Sequence, residues 1–380
     1  MTKKPAALFL LSSLTSGGAE RQVISLLNRL DPQAFRLSLA YLKPETQLLP
    51  ILRTDRLDAV VSLNVQRKLD LAAVRSIANF IDRHEVKVVV STNPYPVLYS
   101  VLASKLAGHR PRQVEVFHST TLHSQKEKIQ MALYRVVFRR LDLLVYVSSL
   151  QRDYWSARGL RARRETVIHN GIDTSYFSDT FGSEQKHSLR ARFGILESDY
   201  VVGICAGLRP EKAHGDYLLA ISRLRSFGLP AKGLIIGDGP ERVAVEDGIK
   251  QLGLAQHVSV TGFQADVRPF LATCDVMTLT SHAVETFSLA ALESMSMGRP
   301  MVMTRIGGAE ELVSHGITGF LFAPKDINAL TGYLSELALP ERRSSIGSAA
   351  ALSVRARFTE ERMLNSFSTE LTSLANATME

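Results

Sequence analysis

The sequence predicts an α/β protein built from two successive doubly wound domains. Short apolar, strand-like runs alternate with helix-length amphipathic stretches along almost the whole chain, which is the pattern of parallel α/β layering. The chain has 380 residues, enough for two domains of ordinary size. Its 45% apolar and 22% charged residues are typical of a globular protein and exclude a disordered one.

The elements of the first half follow from apolar runs and from helical periodicity. Strands are expected at residues 6–13, 36–42, 86–91, 114–118, 143–148 and 166–168. Helices are expected between the strands, as at residues 19–30, 69–83 and 129–140. The segment His169-Asn-Gly-Ile-Asp173 follows the last of these strands.

A second series of strands follows a polar, irregular stretch at residues 174–185, which we interpret as a linker. Its strands are expected at residues 200–206, 233–236, 258–261, 276–280, 300–304 and 319–322. The predicted domains are therefore residues 1–175 and 176–358, with a final helix over residues 359–380.

Charge is distributed unevenly along the chain. Residues 1–175 contain 26 Lys and Arg against 14 Asp and Glu, a net charge of +12, whereas the whole chain carries +8. A basic first half suggests an anionic partner. Nucleic acid is not expected, because the sequence has no recognisable binding motif, no interleaved aromatic residues and one Trp.

Membrane spans and disulfides are not expected either. No apolar run approaches the roughly 18 residues that cross a bilayer. The apolar run behind the basic N-terminus is short and leads into a Gly-Gly turn, so we interpret it as a first strand and not as a signal peptide. Cys205 and Cys274 lie in or beside apolar strands without metal-ligand spacing. A reduced, cytoplasmic environment is therefore expected.

Two carboxylates stand eight positions apart where the strand at residues 276–280 gives way to a helix. In Ser281-His-Ala-Val-Glu285-Thr-Phe-Ser-Leu-Ala-Ala-Leu-Glu293, a helical rise of ~1.5 Å per residue would separate the two by roughly 12 Å, the length of a sugar–diphosphate–ribose unit. The first helical turn, expected around residues 286–289, would offer N–H groups to the diphosphate. The alternative is that Glu285 caps the helix and Glu293 is an ordinary solvated residue.

This segment, with its Met-Gly-Arg-Pro300 continuation, resembles the E-x7-E motif of glycosyltransferase family 4. The resemblance implies a GT-B fold, with two Rossmann-like domains facing a central cleft and a C-terminal helix crossing back to the first domain. It implies that Glu285 contacts the transferred sugar and Glu293 the nucleotide ribose. Where the family usually has Gly-Phe-Gly, this chain has Thr286-Phe287-Ser288, followed by Leu289, as expected donor-binding residues.

A phosphate-binding loop is expected directly after the strand at residues 200–206. Arg209 and Lys212 supply one guanidinium and one ammonium group, which can neutralise a diphosphate. The family usually has its Arg at the position of Gly207, so Arg209 is expected to take that role. The alternative is a surface turn whose charges pair with Glu211 or water.

Further site residues follow from the same resemblance. It implies that Gly17 and Gly18 approach the donor phosphate, that the base lies near Gly262, Phe263 and Gln264, and that Gly307-Gly308 closes the site. His118 ends a strand where the family places a His beside the reacting sugar, so we expect it to position sugar or acceptor hydroxyls. A strand-end His is otherwise more often structural.

Metal and cofactors are not expected. The sequence has no Asp-x-Asp pair, which glycosyltransferases of the other major fold use to hold a metal ion on the diphosphate. Lys212, Arg209 and helix N-termini would replace that ion electrostatically.

The helix expected at residues 129–140 has a basic stripe and an apolar face. Lys128, Arg135 and Arg139 share one stripe, and Ile129, Leu133, Val136 and Val137 adjoin it. A core-facing helix is one interpretation. Peripheral attachment to the anionic inner face of a cell membrane is the other.

The sequence thus predicts a retaining, metal-independent glycosyltransferase that moves a sugar from a nucleotide-sugar donor to a saccharide or lipid-linked saccharide acceptor in cell-envelope polysaccharide or glycolipid synthesis. Two alternatives remain open at this point. One is a GT-B epimerase or hydrolase that acts on a nucleotide sugar without an acceptor. The other is a non-catalytic nucleotide-sugar-binding module.

Overall fold

A computed structural model describes residues 4–15, 17–119, 125–283 and 285–377, with no side-chain detail for residues 125–128. The chain divides into two units. The first comprises Met1–Asn170 with Glu361–Glu380, and the second comprises Gly171–Glu360.

The first unit is a parallel sheet with a helix in most of the connections between its strands. Its strands are β1 (Ala6–Leu11), β2 (Arg36–Tyr41), β3 (Ala59–Ser62), β4 (Val86–Thr92), β5 (Arg112–Phe117), β6 (Leu143–Tyr146) and β7 (Arg164–Val167). Its helices are α1 (Gly18–Arg29), α2 (Leu71–His84), α3 (Pro94–Leu106), α4 (Gln125–Phe138) and α5 (Ser149–Ser156). Within the described residues the strand order is β3-β2-β1-β4-β5-β6-β7.

The second unit repeats this plan. Its strands are β8 (Tyr200–Cys205), β9 (Ala231–Ile236), β10 (Val258–Val260), β11 (Val276–Leu279), β12 (Met301–Thr304) and β13 (Gly319–Phe322). Its helices are α6 (Ser183–Arg192), α7 (His214–Ser226), α8 (Arg242–Gln251), α9 (Arg268–Thr273), α10 (Leu289–Ser296), α11 (Ala309–Leu312), α12 (Ile327–Glu336) and α13 (Pro340–Arg357). The strand order over the described residues is β10-β9-β8-β11-β12-β13.

Helix α14 (Glu360–Asn376) ends the described chain. From Glu361 onward it belongs to the first unit, where Arg164 forms an ion pair with Glu370 at 2.8 Å. Its buried side chains are Met363, Phe367, Leu371 and Leu374. Their spacing places them on one face of the helix.

The apolar runs form strands because both sheet faces are covered. All six residues of β1 are buried, as are all four of β11, β12 and β13. Continuous burial of this kind is typical of parallel sheets with helices on both faces. Within the described residues, no helix has both the length and the apolar content that crossing a membrane requires.

Strand β3 and the start of helix α6 were not anticipated from the sequence. Strand β3 was not predicted, and its residues Ala59, Val60 and Val61 are only half-buried at the edge of the sheet. Helix α6 begins at Ser183, inside the stretch interpreted as a linker. In both segments the apolar residues are too few to show the period of a strand or a helix, so neither element was predicted there.

Candidate functional site

The second unit brings its candidate residues to one edge of its sheet. The strand order reverses between β8 and β11, and ligands of doubly wound sheets bind at the carboxyl ends of the strands where this reversal occurs. The loop after β8 carries Arg209 and Lys212, and the loop after β11 carries Glu285. The topology therefore places these predicted residues on neighbouring loops.

Lys212 and Glu285 are in direct contact. The ammonium Nζ of Lys212 donates to Oε2 of Glu285 at 2.7 Å, and the hydroxyl of Ser281 donates to the same oxygen at 3.0 Å. Ser281 is 1% exposed and Glu285 is 9% exposed. Glu285 is therefore held by a cation and a hydroxyl at a fixed position below the surface.

Backbone contacts join these two loops. The hydroxyl of Thr280 donates to the carbonyl oxygens of Lys212 and Ala213, at 2.9 and 3.1 Å. The backbone N–H of His282 donates to the carbonyl oxygen of Glu211 at 2.9 Å. These bonds fix the distance between the strand-end loops, so the Lys212–Glu285 pair is supported by its surroundings.

Helix α10 starts later than the sequence suggested. Its first residue is Leu289, and the hydroxyl of Ser288 accepts from the backbone N–H of Ala291 at 3.3 Å as the helix cap. The first turn therefore runs from Leu289 to Leu292 and not from Thr286. A Gly at position 288 would have no hydroxyl, so Ser288 satisfies one N–H group that a Gly would leave open.

Both carboxylates of the motif are buried. Glu293 is the fifth residue of α10, about one turn into the helix and not two, and it is 2% exposed. The interpretation of Glu293 as an ordinary solvated residue is therefore wrong. The intervening Thr286 and Phe287 are also buried, and Phe287 packs edge-on against Phe358.

The Gly307-Gly308 turn packs against the loop that carries Glu285. Gly307 has φ +53°, and a Cβ built on it would overlap the carbonyl oxygen of Glu285. The backbone N–H of Gly308 donates to the carbonyl oxygen of Thr286 at 2.7 Å. Only a residue without a side chain permits this approach, so the turn shapes the Glu285 loop.

Arg209 is exposed and its guanidinium folds back towards Gly207. A Cβ built on Gly207 would lie 3.8 Å from Nε of Arg209. The Arg209 guanidinium thus lies at ordinary van der Waals distance from the point where a side chain at position 207 would begin.

The region predicted to hold the nucleotide base lies where the loops after β9 and β10 meet. Gly237 and Gly262 form an antiparallel bridge, and Gly262 has φ +75°. Phe263 is 65% exposed, and the side-chain amide of Gln264 donates to the carbonyl oxygen of Thr261 at 2.9 Å. An exposed aromatic ring beside a fixed amide is a surface on which a flat ring can stack.

The first unit holds His118 in a network of polar side chains. His118 follows β5 directly, and its backbone N–H donates to Oδ1 of Asn93 at 3.3 Å. Its Nε2 lies 2.9 Å from Oε1 of Gln22, whose Nε2 donates to Oδ1 of Asn170 at 2.7 Å. Burial lowers the pKa of His118 to about 4, so the ring is neutral near pH 7.

Gly17 and Gly18 lie at the N-terminus of α1. Gly17 is the cap residue, and a Cβ built on it would overlap the carboxylate of Glu20 in the first helical turn. A carboxylate of the chain itself therefore lies at this helix end. The predicted contact of these glycines with a donor phosphate stays a prediction.

The described residues contain no group of three or more His, Cys, Asp and Glu side chains placed to hold a metal ion. Independence from metal stays a prediction as well.

Both halves of the sequence match glycosyltransferase families. Residues 16–176 match the family described as Glycosyltransferase Family 4, and residues 199–339 match Glycosyl transferases group 1. The chain belongs to glycosyltransferase family 4. Its two parallel α/β units are the Rossmann-like domains of the GT-B fold.

Individual glycosyltransferases are similar over most of this chain. The N-acetyl-α-D-glucosaminyl L-malate synthase of Bacillus anthracis is 28% identical over 79% of this chain and 78% of its own. A GDP-mannose-dependent α-(1-6)-phosphatidylinositol monomannoside mannosyltransferase of Mycolicibacterium smegmatis is 28% identical over 73% of this chain and 72% of its own. The crystal structure of HepE from Anabaena with UDP-glucose has a TM-score of 0.84 at 23% identity, covering 97% of this chain and 99% of that one.

Helix α4 of this glycosyltransferase carries an apolar stripe on its outer side. Ile129, Leu133 and Val136 are 66%, 70% and 57% exposed, whereas Met131, Tyr134 and Phe138 of the same helix are buried. The interpretation of the first three as core-facing is therefore wrong. Arg139 is exposed and Arg135 half-exposed beside them, and the side chain of Lys128 lies outside the described residues.

Sequence reasoning missed several polar residues that hold this glycosyltransferase's candidate site in place. They are Gln22, Asn93, Asn170 and Ser281. Ser281 opens the segment that carries Glu285 and Glu293, and Asn170 lies in the His169–Asp173 segment after β7, so both could have been considered as site residues from the sequence. Gln22 and Asn93 carried none, because an isolated amide has no periodic or spacing pattern.

Proposed function

We propose that this protein is a retaining, metal-independent glycosyltransferase that takes its sugar from a nucleotide-sugar donor bound by the second unit. The observation that carries the proposal is the 2.7 Å contact between Lys212 and Glu285. A diphosphate and its sugar are covalently adjacent in the donor. A phosphate-binding cation beside a sugar-binding carboxylate reproduces that adjacency.

The remaining donor contacts follow along α10. The N–H groups of its first turn, around Leu289, would face the diphosphate. Glu293, one turn further along the helix, would accept from the ribose hydroxyls. Thr286, Phe287 and Ser288 line the loop between the two carboxylates.

Charge developing on the departing diphosphate would be stabilised by Lys212 and Arg209. Support for Arg209 comes from its Nε, which lies 3.8 Å from a Cβ built on Gly207, where the family usually has its Arg. These two cations and a helix N-terminus would supply the electrostatic stabilisation that a divalent ion would otherwise give. His118 would position sugar or acceptor hydroxyls as a neutral hydrogen-bonding group.

The acceptor is proposed to be a saccharide or a lipid-linked saccharide of the cell envelope, on the inner face of the cell membrane. The basic first half and the exposed apolar stripe of α4 support it. Three exposed apolar side chains beside Arg135 and Arg139 match an anionic lipid surface in both polarity and charge. One named relative acts on phosphatidylinositol monomannoside, which is an anionic lipid-linked saccharide.

A transfer assay with product analysis tests this function. Purified protein is incubated with UDP-, GDP-, ADP- and CMP-sugars, with and without saccharide and lipid-linked acceptors. We expect one nucleotide series to give a glycoside with the anomeric configuration of the donor, in the presence of EDTA. Glu293→Gln should abolish the product, whereas Glu197→Gln, at an exposed position, should not.

Other outcomes contradict the proposal in distinct ways. Acceptor-independent release of the nucleotide without a glycoside would indicate a hydrolase or epimerase. An inverted product would contradict retention, and activity lost with EDTA and restored by Mg²⁺ would contradict metal independence.

A further inference from the structure

Three polar side chains of the first unit form a continuous hydrogen-bonded chain that ends at His118. Gln22 on α1 is 2% exposed, and Asn170, which follows β7, is 3% exposed. Gln22 connects the two ends, at 2.7 Å from Asn170 and 2.9 Å from the His118 ring. These hydrogen bonds join helix α1 to the segments that follow strands β5 and β7.

The two ends of the Gln22 amide determine which atom donates and which accepts in each of these hydrogen bonds. The Nε2 of Gln22 donates to Oδ1 of Asn170, so the carbonyl oxygen of Gln22 faces His118. A carbonyl oxygen can only accept a hydrogen bond. Nε2 of His118 must therefore carry the proton, and in a neutral imidazole the acceptor nitrogen is then Nδ1.

Packing alone does not account for an amide at this position. The other buried residues of α1 are Val23, Ile24, Leu26 and Leu27, so an apolar side chain would suit the same face. A buried amide is unfavourable unless both of its ends are bonded, and both ends of Gln22 are. The residue type at position 22 is thus matched to its two polar neighbours.

We propose that Gln22 is a positioning residue that fixes the Nε2–H tautomer and the ring orientation of His118. Nδ1 is then the ring nitrogen that can accept a hydrogen bond from a hydroxyl, while Nε2 is committed to Gln22. Asn170 supports the arrangement by orienting the Gln22 amide. The benefit to catalysis rests on the proposed function, in which His118 contacts a sugar or acceptor hydroxyl.

Nitrogen NMR of histidine-labelled protein tests the tautomer directly. The His118 signals are assigned by their loss in His118→Gln. We expect the wild type to show the Nε2–H tautomer, and Gln22→Met, of similar size without a strong acceptor, to show a mixture of tautomers. Gln22→Glu retains an acceptor and should keep Nε2–H.

The matched control is Gln113→Met. Gln113 is also 2% exposed, and its amide donates to the hydroxyl of Ser104 and not to His118. This variant should lose stability without changing the tautomer. An Nδ1–H tautomer in the wild type would overturn the proposal without any variant, and so would a tautomer that Gln22→Met leaves unchanged.

Steady-state kinetics separates positioning from a general loss of structure. Gln22→Met should lower kcat roughly tenfold, the effect of one misdirected hydrogen bond, with the donor KM within about twofold of wild type. Gln22→Glu should restore most of that activity. Equal losses in Gln22→Met and Gln113→Met would overturn the catalytic part of the proposal.

Failure of this proposal and failure of the proposed function are distinguishable. A Gln22-dependent Nε2–H tautomer in a protein that transfers no sugar would leave the positioning network intact and reject the function. Sugar transfer by a protein whose His118 carries its proton on Nδ1 would support the proposed function and reject the positioning role of Gln22.

Discussion

Glu285 is a carboxylate that its neighbours hold below the protein surface. Lys212 supplies the compensating charge at 2.7 Å and Ser281 a hydrogen bond at 3.0 Å. Removing one partner of a buried ion pair leaves the other charge uncompensated, which costs more than the net value of the pair. Lys212 therefore has a structural role besides the ligand-binding role proposed for it, whereas only a ligand-binding role is proposed for the exposed Arg209.

Comparison of Lys212→Ala with Arg209→Ala tests this division. Lys212→Ala should lower the free energy of unfolding by about 2 kcal/mol, because Glu285 loses its cation. Arg209→Ala should change it by less than about 0.5 kcal/mol. Both should weaken nucleotide binding, which calorimetric titration measures beside urea denaturation. Equal stability of the two variants would contradict the assignment.

His214 gives stability a pH dependence. It begins α7, is 3% exposed, and burial, together with the charge of Lys212, lowers its pKa to about 4. In the unfolded chain a His titrates near pH 6.5, so between pH 6.5 and 4 the unfolded state binds the additional proton. Folding stability is therefore lost as the pH falls through this window.

His214→Gln should flatten that pH dependence. We expect the wild type to lose more free energy of unfolding than the variant between pH 7.5 and pH 4.5, in denaturant titrations at each pH. His118 has a similarly lowered pKa and contributes equally to both proteins. Parallel curves for the two proteins would show that His214 does not contribute.

The sequence drew attention to charged residues and not to the polar residues that hold them. Glu285 was singled out by the E-x7-E segment and Lys212 by the strand-end loop that resembles a phosphate site, and the structure brings the two into contact. Gln22 and Asn93 could not be found, because their roles depend on contacts over many positions, such as the 96 between Gln22 and His118. Polar contacts of that range leave no local pattern in a sequence.

Two local contacts shape the segment that carries Glu285 and Glu293. One is the Gly307-Gly308 turn against the Glu285 loop, and the other is the capped start of α10 at Ser288. Gly307 combines a left-handed backbone, φ +53°, with a lack of space for a Cβ. Gly316 has φ +76° but nothing within 4 Å of an added Cβ.

These two glycines allow a matched experiment on the turn. Gly316→Ala should cost about 1 kcal/mol of folding free energy, from the left-handed backbone alone. Gly307→Ala should cost more and should also weaken nucleotide-sugar binding, because the loop of Glu285 must move. Thermal denaturation and binding titrations measure the two effects. Unchanged binding in Gly307→Ala would show that the turn does not shape the site.

Most strands could be predicted because their burial leaves continuous apolar runs. The start of α10 could not be placed at the residue level, since Thr286, Phe287 and Ser288 are compatible with either a loop or a helical turn. Tertiary contacts decide it, because the carbonyl oxygen of Thr286 accepts from Gly308 and is bound outside a helix. Strand β3 escaped prediction because edge strands are short and only partly apolar.

On the scale of the whole molecule, the two units share the order of six strands, with a seventh strand at the edge of the first sheet, and the sequence predicted both α/β units. Alternation of strands and helices defines this architecture, so periodicity was sufficient. The outer face of α4 was ambiguous, because an apolar stripe looks the same in sequence whether it faces a core or solvent. The structure buries Met131, Tyr134 and Phe138 and exposes the adjoining stripe.

Vesicle co-sedimentation tests whether α4 binds an anionic membrane. The full-length protein should sediment with phosphatidylglycerol-containing vesicles and remain in solution with phosphatidylcholine alone. Leu133→Ser and Arg139→Ser should each reduce the bound fraction. Leu352→Ser is the control, because Leu352 is 65% exposed on α13 of the other unit. Binding that all three substitutions leave unchanged would remove the membrane assignment.

The proposed function depends most directly on a nucleotide sugar binding the second unit through Lys212 and Glu293. The decisive measurement is the thermal stability of wild type, Lys212→Ala and Glu293→Gln with UDP, GDP, ADP and CMP, alone and as their sugar conjugates. A ligand at 100 times its Kd adds about 2.7 kcal/mol to the stability of the folded state. One nucleotide series should stabilise the wild type and neither variant. No stabilisation by any nucleotide, or equal stabilisation of all three proteins, would contradict the proposed function.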